Sequence, residues 1–214
     1  MLKLYDDPLS GNGYKVRLLL AHLGRGYEYR RVDILAGETR TPAFLEKNPD
    51  GRVPVLELED GRFLAQSNAI LWYLAEDGPF APDGRWARAD ALRWMFFEQY
   101  SHEPYIAVLR FWAHLGEDLP PAQAAQVPER RAKGYQALEV MQRHLADTPF
   151  FGGGKFGIAD IALYAYTHVA HEGGFDLSAY PAVRDWMDRV AAQPGHIPMN
   201  DLPRAAHGLA AGAC

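Results

Sequence analysis

Over its first 77 residues the chain alternates short apolar runs of strand length with one longer helical period. The run "LKLY" alternates like a strand, "GYKVRLLLAHLG" carries apolar residues at helical steps, and "YEYRRVDI" alternates again. A polar stretch with a short helical "TPAFLEKN" follows, then the strands "VPVLELE" and "RFLAQ", then the helix "SNAILWYLAED". Between the last two strands stands Glu59-Asp60-Gly61-Arg62, and an Asp-Gly pair between apolar runs predicts a hairpin turn. The order is therefore βαβ, a hairpin and a closing helix. After it, "GPFAPDG" concentrates proline and glycine, and the remaining periodicity is helical: "RADALRWMFFEQYSHEPYIAVLRFWAHLG", "PERRAKGYQALEVMQRHLAD", "IADIALYAYTHVAHEGG" and "PAVRDWMDRVAAQPG". The pattern predicts an α+β domain over residues 1–77, a linker over 78–86, an all-helical domain over 87–201, and a disordered Ala/Gly-rich tail over 202–214.

Composition narrows the functions this architecture serves. A formal net charge of −5, with Lys and Arg scattered rather than clustered, gives no basic stripe for a nucleic-acid backbone. No run approaches the roughly 18 apolar residues that would span a bilayer, and "MLKLYDDPLS" enters a strand at once, so a membrane segment and a signal peptide are not expected. The expected location is the cytoplasm. The one cysteine, Cys214, stands alone, which excludes an internal disulfide, a CxxC redox pair and a cysteine zinc cluster. Any thiol chemistry then uses a thiol supplied from outside.

The candidate chemistry begins at Ser10-Gly11-Asn12-Gly13, a small polar turn between the first strand and the first helix. Such a junction directs backbone N–H groups and the positive end of the helix at an anion. A nicotinamide fingerprint fits Gly11 and Gly13, with Asp33 twenty positions after Gly13, but Val16 takes the place of the third glycine. The phosphate-loop signature fails because Lys15 is followed by Val16. A tight turn with no ligand is the bland explanation. Two further features argue against it. Pro54 opens a strand directly after Val53, where a cis peptide bond would turn the Val53 N–H and C=O outward to pair with an extended peptide. Gln66-Ser67 sits at a strand-to-helix junction, with Ser67 the expected N-cap and a carboxylate the expected guest. Two anion-receptive helix starts with a pairing edge between them suit a short acidic peptide.

In this order, "PLSGNGYKVRLLL", "TPAFLEKNPDGRVPVLELEDG", "AQSNAILWYLAE", the proline-rich linker and "GIADIALYAY" resemble the cytosolic glutathione S-transferase family over nearly the whole chain. The resemblance implies a thioredoxin-like domain that binds glutathione as cosubstrate, a helical domain that shapes a hydrophobic substrate site, no metal, and a homodimer. It implies that Val53, beside Pro54, pairs with the cysteinyl backbone of glutathione, that Gln66 and Ser67 hold the γ-glutamyl end, and that Arg40 and above all Arg52 meet the glycyl carboxylate. It places Ser10 and Asn12 at the sulfur, with Tyr5 at the end of the first strand as their rival. The family's Ser or Thr before the core helix is replaced by Gly157, with Asp160 still the expected structural cap.

The expected activity is attack of the glutathione thiolate on a small hydrophobic electrophile. The alternatives are glutathione-dependent disulfide or peroxide reduction and, from another class, a non-catalytic interaction module of the same fold. Tyr105 and Trp112, seven residues apart on a helix that Pro104 is expected to kink, are the candidates for an apolar site facing Ser10. His168 and His171, one helical turn apart, lack a third ligand and are expected to be solvated or at the core edge.

Overall fold

The computed structural model describes residues 1–116, 119–152 and 154–202. The tail over 203–214, with Cys214, lies outside the described residues, so the expectation of disorder there stays an expectation. The chain divides into two compact units, residues 1–74 with the described residues from Gly195 to Leu202, and Ala75–Pro194.

The first unit follows the alternation read from the sequence. Strand β1 (Lys3–Asp6) leads to helix α1 (Gly11–His22), strand β2 (Glu28–Arg31), a 3-10 turn (Glu38–Arg40), the single-turn helix α2 (Pro42–Leu45), strands β3 (Val55–Glu57) and β4 (Phe63–Ala65), and helix α3 (Ser67–Ala75). The sheet order is β2-β1-β3-β4. Strand β1 pairs parallel to β2, with Lys3 opposite Glu28, and antiparallel to β3, with Leu4 opposite Leu56. The hairpin turns where Asp-Gly predicts: the Leu58 N–H donates to the Arg62 carbonyl at 2.8 Å and Gly61 takes φ 85°.

Side-chain parity in β1 separates two faces. Leu2, Leu4 and Asp6 are fully or almost fully buried. Tyr5 points to the opposite face and packs on a cluster of Val32, Phe44 and Val55, with Val53 beside it. Gly13 lets α1 approach the Asp6 side of the sheet, because a Cβ at Gly13 would lie 1.5 Å from Asp6 Oδ1. Behind that contact Arg17 Nε donates to Asp6 Oδ2 at 3.0 Å, with both side chains completely buried.

The described residues from Gly195 to Leu202 belong to this unit, whereas the sequence pattern assigns 195–201 to the helical domain and 202 to the tail. Two buried residues of α1 draw them back. Tyr14 donates its hydroxyl to the Ile197 carbonyl at 2.7 Å, and Arg17 donates to the Met199 carbonyl at 2.9 Å.

The second unit contains α4 (Gly84–Phe97), α5 (Glu103–His114), the short α6 (Pro121–Ala124), α7 (Val127–Asp147), α8 (Ile158–Thr167) and α9 (Pro181–Ala191). The expected helix over 88–116 is split by a π-helical turn at Glu98–His102, just before Pro104, whose ring cannot continue a regular ladder. The expected helix from Ile158 ends at Thr167, so His168 and His171 do not share a helix: His168 stacks on Tyr164 with centroids 4.5 Å apart, and His171 lies in a 3-10 turn.

All ten residues of α8 are buried, which requires its polar N-terminus to be satisfied internally. Asp160 does this: Oδ2 accepts from the Gly157 N–H at 3.0 Å, and Oδ1 accepts from the Phe151 N–H at 2.9 Å and from Trp186 Nε1 at 2.8 Å. Burial pushes its carboxyl up to about 7 against the pull of those donors. Around it Trp94, Phe151 and Trp186 meet edge to face, with Trp94–Phe151 and Phe151–Trp186 centroids 4.5 and 5.2 Å apart. Among the described residues no helix is long and apolar enough to cross a membrane.

Candidate functional site

Three stretches of the first unit hold the expected site residues: the β1–α1 turn, the loop that enters β3, and the start of α3. At the turn, Ser10 is the N-cap of α1, and its Oγ accepts from the Gly13 N–H at 3.1 Å. A hydroxyl oxygen that accepts in this way retains its own O–H to donate at the positive end of the helix.

Asn12, the second residue of α1, reaches toward α3. Its Oδ1 accepts from Ser67 Oγ at 3.1 Å and from Lys15 Nζ at 2.8 Å, and Lys15 also donates to Ser67 Oγ at 3.4 Å. The sulfur-side turn and the γ-glutamyl-side helix start, 55 positions apart in sequence, thus meet through side chains.

Ser67 is not the N-cap expected of it. It is the first residue of α3, and Gln66 stands at the cap position with its carbonyl accepting from the Ile70 N–H at 3.0 Å. The Ser67 hydroxyl, released from its own helix, goes to Asn12. Gln66 takes φ 70°, a left-handed conformation that costs a non-glycine residue about 1–2 kcal/mol.

The Val53-Pro54 bond is cis, as the proline at the strand entrance predicts. The loop before it is built on Asn48, almost fully buried, whose Nδ2 donates to the Arg52 carbonyl at 2.8 Å and whose Oδ1 accepts from the Asp50 N–H at 3.2 Å. Arg40 and Arg52 both converge on Asp50. Arg40 Nη1 donates to its carbonyl at 3.2 Å, while Arg52 Nε lies 3.3 Å from Oδ2 with its side chain 75% exposed. Both guanidinium groups meet this loop, and Gly51, at φ 63°, leaves room for Arg40, because a Cβ there would lie 2.5 Å from Arg40 Nη1.

Tyr5 faces the other side of the sheet from α1, and its hydroxyl donates to Glu57 Oε2 at 2.7 Å. Tyr105 and Trp112 lie in the helical unit, each under a cation of α7. Lys133 Nζ is 5.5 Å from the Tyr105 ring centroid, and the Arg130 guanidinium carbon is 5.2 Å from that of Trp112. Each ring thus carries a cation–π pair. Among the described residues no group of three or more His, Cys, Asp or Glu is arranged to hold a metal ion.

The residue sequence reasoning missed is Lys15, read only as a failed phosphate-loop lysine. It is completely buried and touches both Asn12 and Ser67. Its position three residues after Asn12, on the same helix face, was the signal available.

A mixed sheet of order β2-β1-β3-β4, entered at β3 through a cis proline and followed by a helical unit, defines the thioredoxin-like class with a helical C-terminal domain. The chain belongs to the glutathione S-transferase family: the family models described as "Glutathione S-transferase, N-terminal domain" and "Glutathione S-transferase, C-terminal domain" match residues 1–76 and 124–189. A crystal structure of a glutathione S-transferase from Pseudomonas fluorescens is 55% identical, aligns over 94% of this chain and 99% of that one, and superposes with a TM-score of 0.90. Maleylacetoacetate isomerase of Pseudomonas aeruginosa is 31% identical over 90% of this chain and 92% of its own length. The disulfide-bond oxidoreductase YfcG of Escherichia coli is 29% identical over 91% of this chain and 92% of its own.

Proposed function

We propose that this chain is a glutathione transferase that ionises bound glutathione and directs its sulfur at a small hydrophobic electrophile. The observation that carries the proposal is the 3.1 Å contact between Ser67 Oγ and Asn12 Oδ1, which joins the residues expected at the sulfur and at the γ-glutamyl end of glutathione into one site. In this reading Val53 pairs with the cysteinyl backbone, Gln66 and Ser67 take the γ-glutamyl carboxylate and amine, and Arg40 and Arg52 meet the glycyl carboxylate. The Ser10 hydroxyl, the Asn12 amide and the N-terminus of α1 favour the thiolate, and the proton leaves to solvent. The sulfur lone pair then forms a C–S bond. The displaced electron pair departs with a leaving group, or moves onto a conjugated acceptor that is protonated in turn.

Similarity to an oxidoreductase of disulfides supports a second reading, in which the same thiolate attacks a disulfide sulfur and expels one thiolate, and the thiolate of a second glutathione then attacks the glutathione sulfur of the mixed disulfide, releasing the substrate's other thiolate and oxidised glutathione. No protein cysteine is needed for that sequence, which suits a turn built on Ser10. A homodimer belongs to the same proposal, and light scattering at micromolar concentration tests it.

The test of the main reading is calorimetry of glutathione binding to the wild type and to Ser67→Ala, followed by a panel of chloroaromatic, epoxide, peroxide and disulfide substrates. Binding by the wild type, loss of most of it in the variant and turnover of a carbon electrophile are expected. Absence of glutathione binding would overturn the assignment and favour the non-catalytic module. Turnover of disulfides alone would select the second reading.

A further inference from the structure

Lys15 lies in the interior of the first unit, where a charged side chain is rarely found without built-in oxygen partners. Its partners include the residue that the functional reading assigns to the sulfur and one that it assigns to the γ-glutamyl end. Lys15 Nζ donates to Asn12 Oδ1 at 2.8 Å and to Ser67 Oγ at 3.4 Å, and the Ser67 hydroxyl donates to Asn12 Oδ1 at 3.1 Å. Three side chains form a closed triangle, and the direction of each bond in it follows from their chemistry. An ammonium has donors only, so the atom of the Asn12 amide that faces it is the oxygen. A serine hydroxyl both donates and accepts, so Ser67 alone could meet either end of that amide. The orientation of Asn12 is therefore decided by the lysine.

We propose that Lys15 is a positioning residue for the thiol chemistry: by holding Asn12 Oδ1 toward α3, it presents the amide N–H2 group, and not the oxygen, to the sulfur of bound glutathione. The proposal rests on the glutathione reading. An amide turned the other way would face a thiolate with a partial negative charge and disfavour it. The same ammonium also lies 3.4 Å from the Ser67 hydroxyl, which keeps its own bond to Asn12 Oδ1 or to the ligand without it. A lysine with a purely structural role would support the packing of α1 and leave the sulfur's protonation unchanged.

The experiment measures the pKa of the bound thiol by thiolate ultraviolet absorbance in the binary complex, with calorimetric glutathione affinity and kcat alongside. The variants are Lys15→Met, Lys15→Arg, Asn12→Ala and the double variant Lys15→Met/Asn12→Ala. Lys15→Met is expected to raise the bound thiol's pKa by about one unit, lowering the thiolate fraction and kcat by up to about tenfold, with a change in glutathione affinity within about threefold. Lys15→Arg, still donor-only, is expected to hold the wild-type pKa. In the double variant the shift should match that of Asn12→Ala alone, because no amide remains to be oriented. If Lys15→Met does not fold, Lys15→Gln decides the matter: it is polar and of similar length, but its amide lets Asn12 turn, and the pKa should rise as for Met. An unchanged thiol pKa in a folded, glutathione-bound Lys15→Met or Lys15→Gln, or shifts that add in the double variant, would overturn the proposal. A wild type that binds no glutathione would overturn the functional reading itself, a different result from any of these.

Discussion

Tyr5 donates its hydroxyl to Glu57 Oε2 at 2.7 Å, on the face of the sheet opposite α1, while Lys3 donates to Glu57 Oε1 at 2.6 Å. Those donors hold the Glu57 carboxyl below the usual carboxylate range. Burial, together with the carboxylate it faces, pushes the phenol up to about 12. Its proton is committed to Glu57. Tyr5→Phe is therefore expected to leave the pKa of bound glutathione and kcat within about twofold of wild type, and to cost about 1 kcal/mol of stability for the lost hydrogen bond. Thiolate absorbance and urea unfolding of the variant check both parts. A rise in thiol pKa would return Tyr5 to the sulfur.

Gln66 offers a test in which stability and binding move in opposite directions. Its φ of 70° is strained for glutamine and relaxed for glycine. Gln66→Gly should gain up to about 1 kcal/mol of folding stability from relieved strain, with the greater flexibility of the unfolded chain offsetting part of it. The same change removes the side chain proposed to hold the γ-glutamyl group, so glutathione affinity should fall about tenfold or more. Thermal unfolding and calorimetry give the two readings. A less stable variant with intact affinity would mean that the conformation serves the fold and not the ligand.

What the sequence made legible and what it hid divide along the range of the interactions. Alternation placed the strands, Asp60-Gly61 placed the hairpin turn, and Pro54 placed the cis bond, because each depends on residues within a few positions of one another. The contact of Ser67 with Asn12 joins two elements far apart in the chain, and local capping preference gave Ser67 a different role. Lys15 was hidden for a related reason: charge predicts a solvated position, and only the assembled unit supplies the oxygens that let an ammonium be buried. The return of Ile197 and Met199 to α1 left still less trace, since the acceptors are backbone carbonyls, which every sequence carries.

The buried pair of Asp6 and Arg17 predicts a pH dependence with a definite sign. Burial raises the Asp6 carboxyl to about 7, against the lowering pull of Arg17. The ordinary carboxyl of an unfolded chain titrates near 3.8. Between these values the folded state binds a proton that the unfolded state does not, so this group's contribution to stability is complete below about pH 4 and is lost as pH rises through 7. The Asp6→Asn variant has no such proton. The advantage of wild type over Asp6→Asn in urea unfolding should accordingly shrink as pH is raised from about 4 to 8. A gap that widens over that window would show that the ionised pair with Arg17 outweighs its desolvation.

Ser10 has two tasks at one atom, and they predict a separable outcome. A free thiol has a pKa near 8.5, so few glutathione molecules are thiolate at neutral pH without help. The Ser10 hydroxyl, the Asn12 amide and the end of α1, each favouring the anion by roughly 0.5–1 kcal/mol, together lower the bound value by about one to two units. Ser10→Ala removes one donor and also the cap that accepts from the Gly13 N–H. It should raise the thiol pKa by about half a unit and cost about 1 kcal/mol of stability. Ser10→Gly separates the two tasks, because glycine at an N-cap costs only a few tenths of a kcal/mol while still lacking the hydroxyl. If the hydroxyl acts on the sulfur, Ser10→Gly shows the same rise in thiol pKa as Ser10→Ala with most of the stability retained. If the thiol pKa instead stays at the wild-type value in Ser10→Gly, the hydroxyl's work ends at Gly13, and the sulfur is left to Asn12 and the helix.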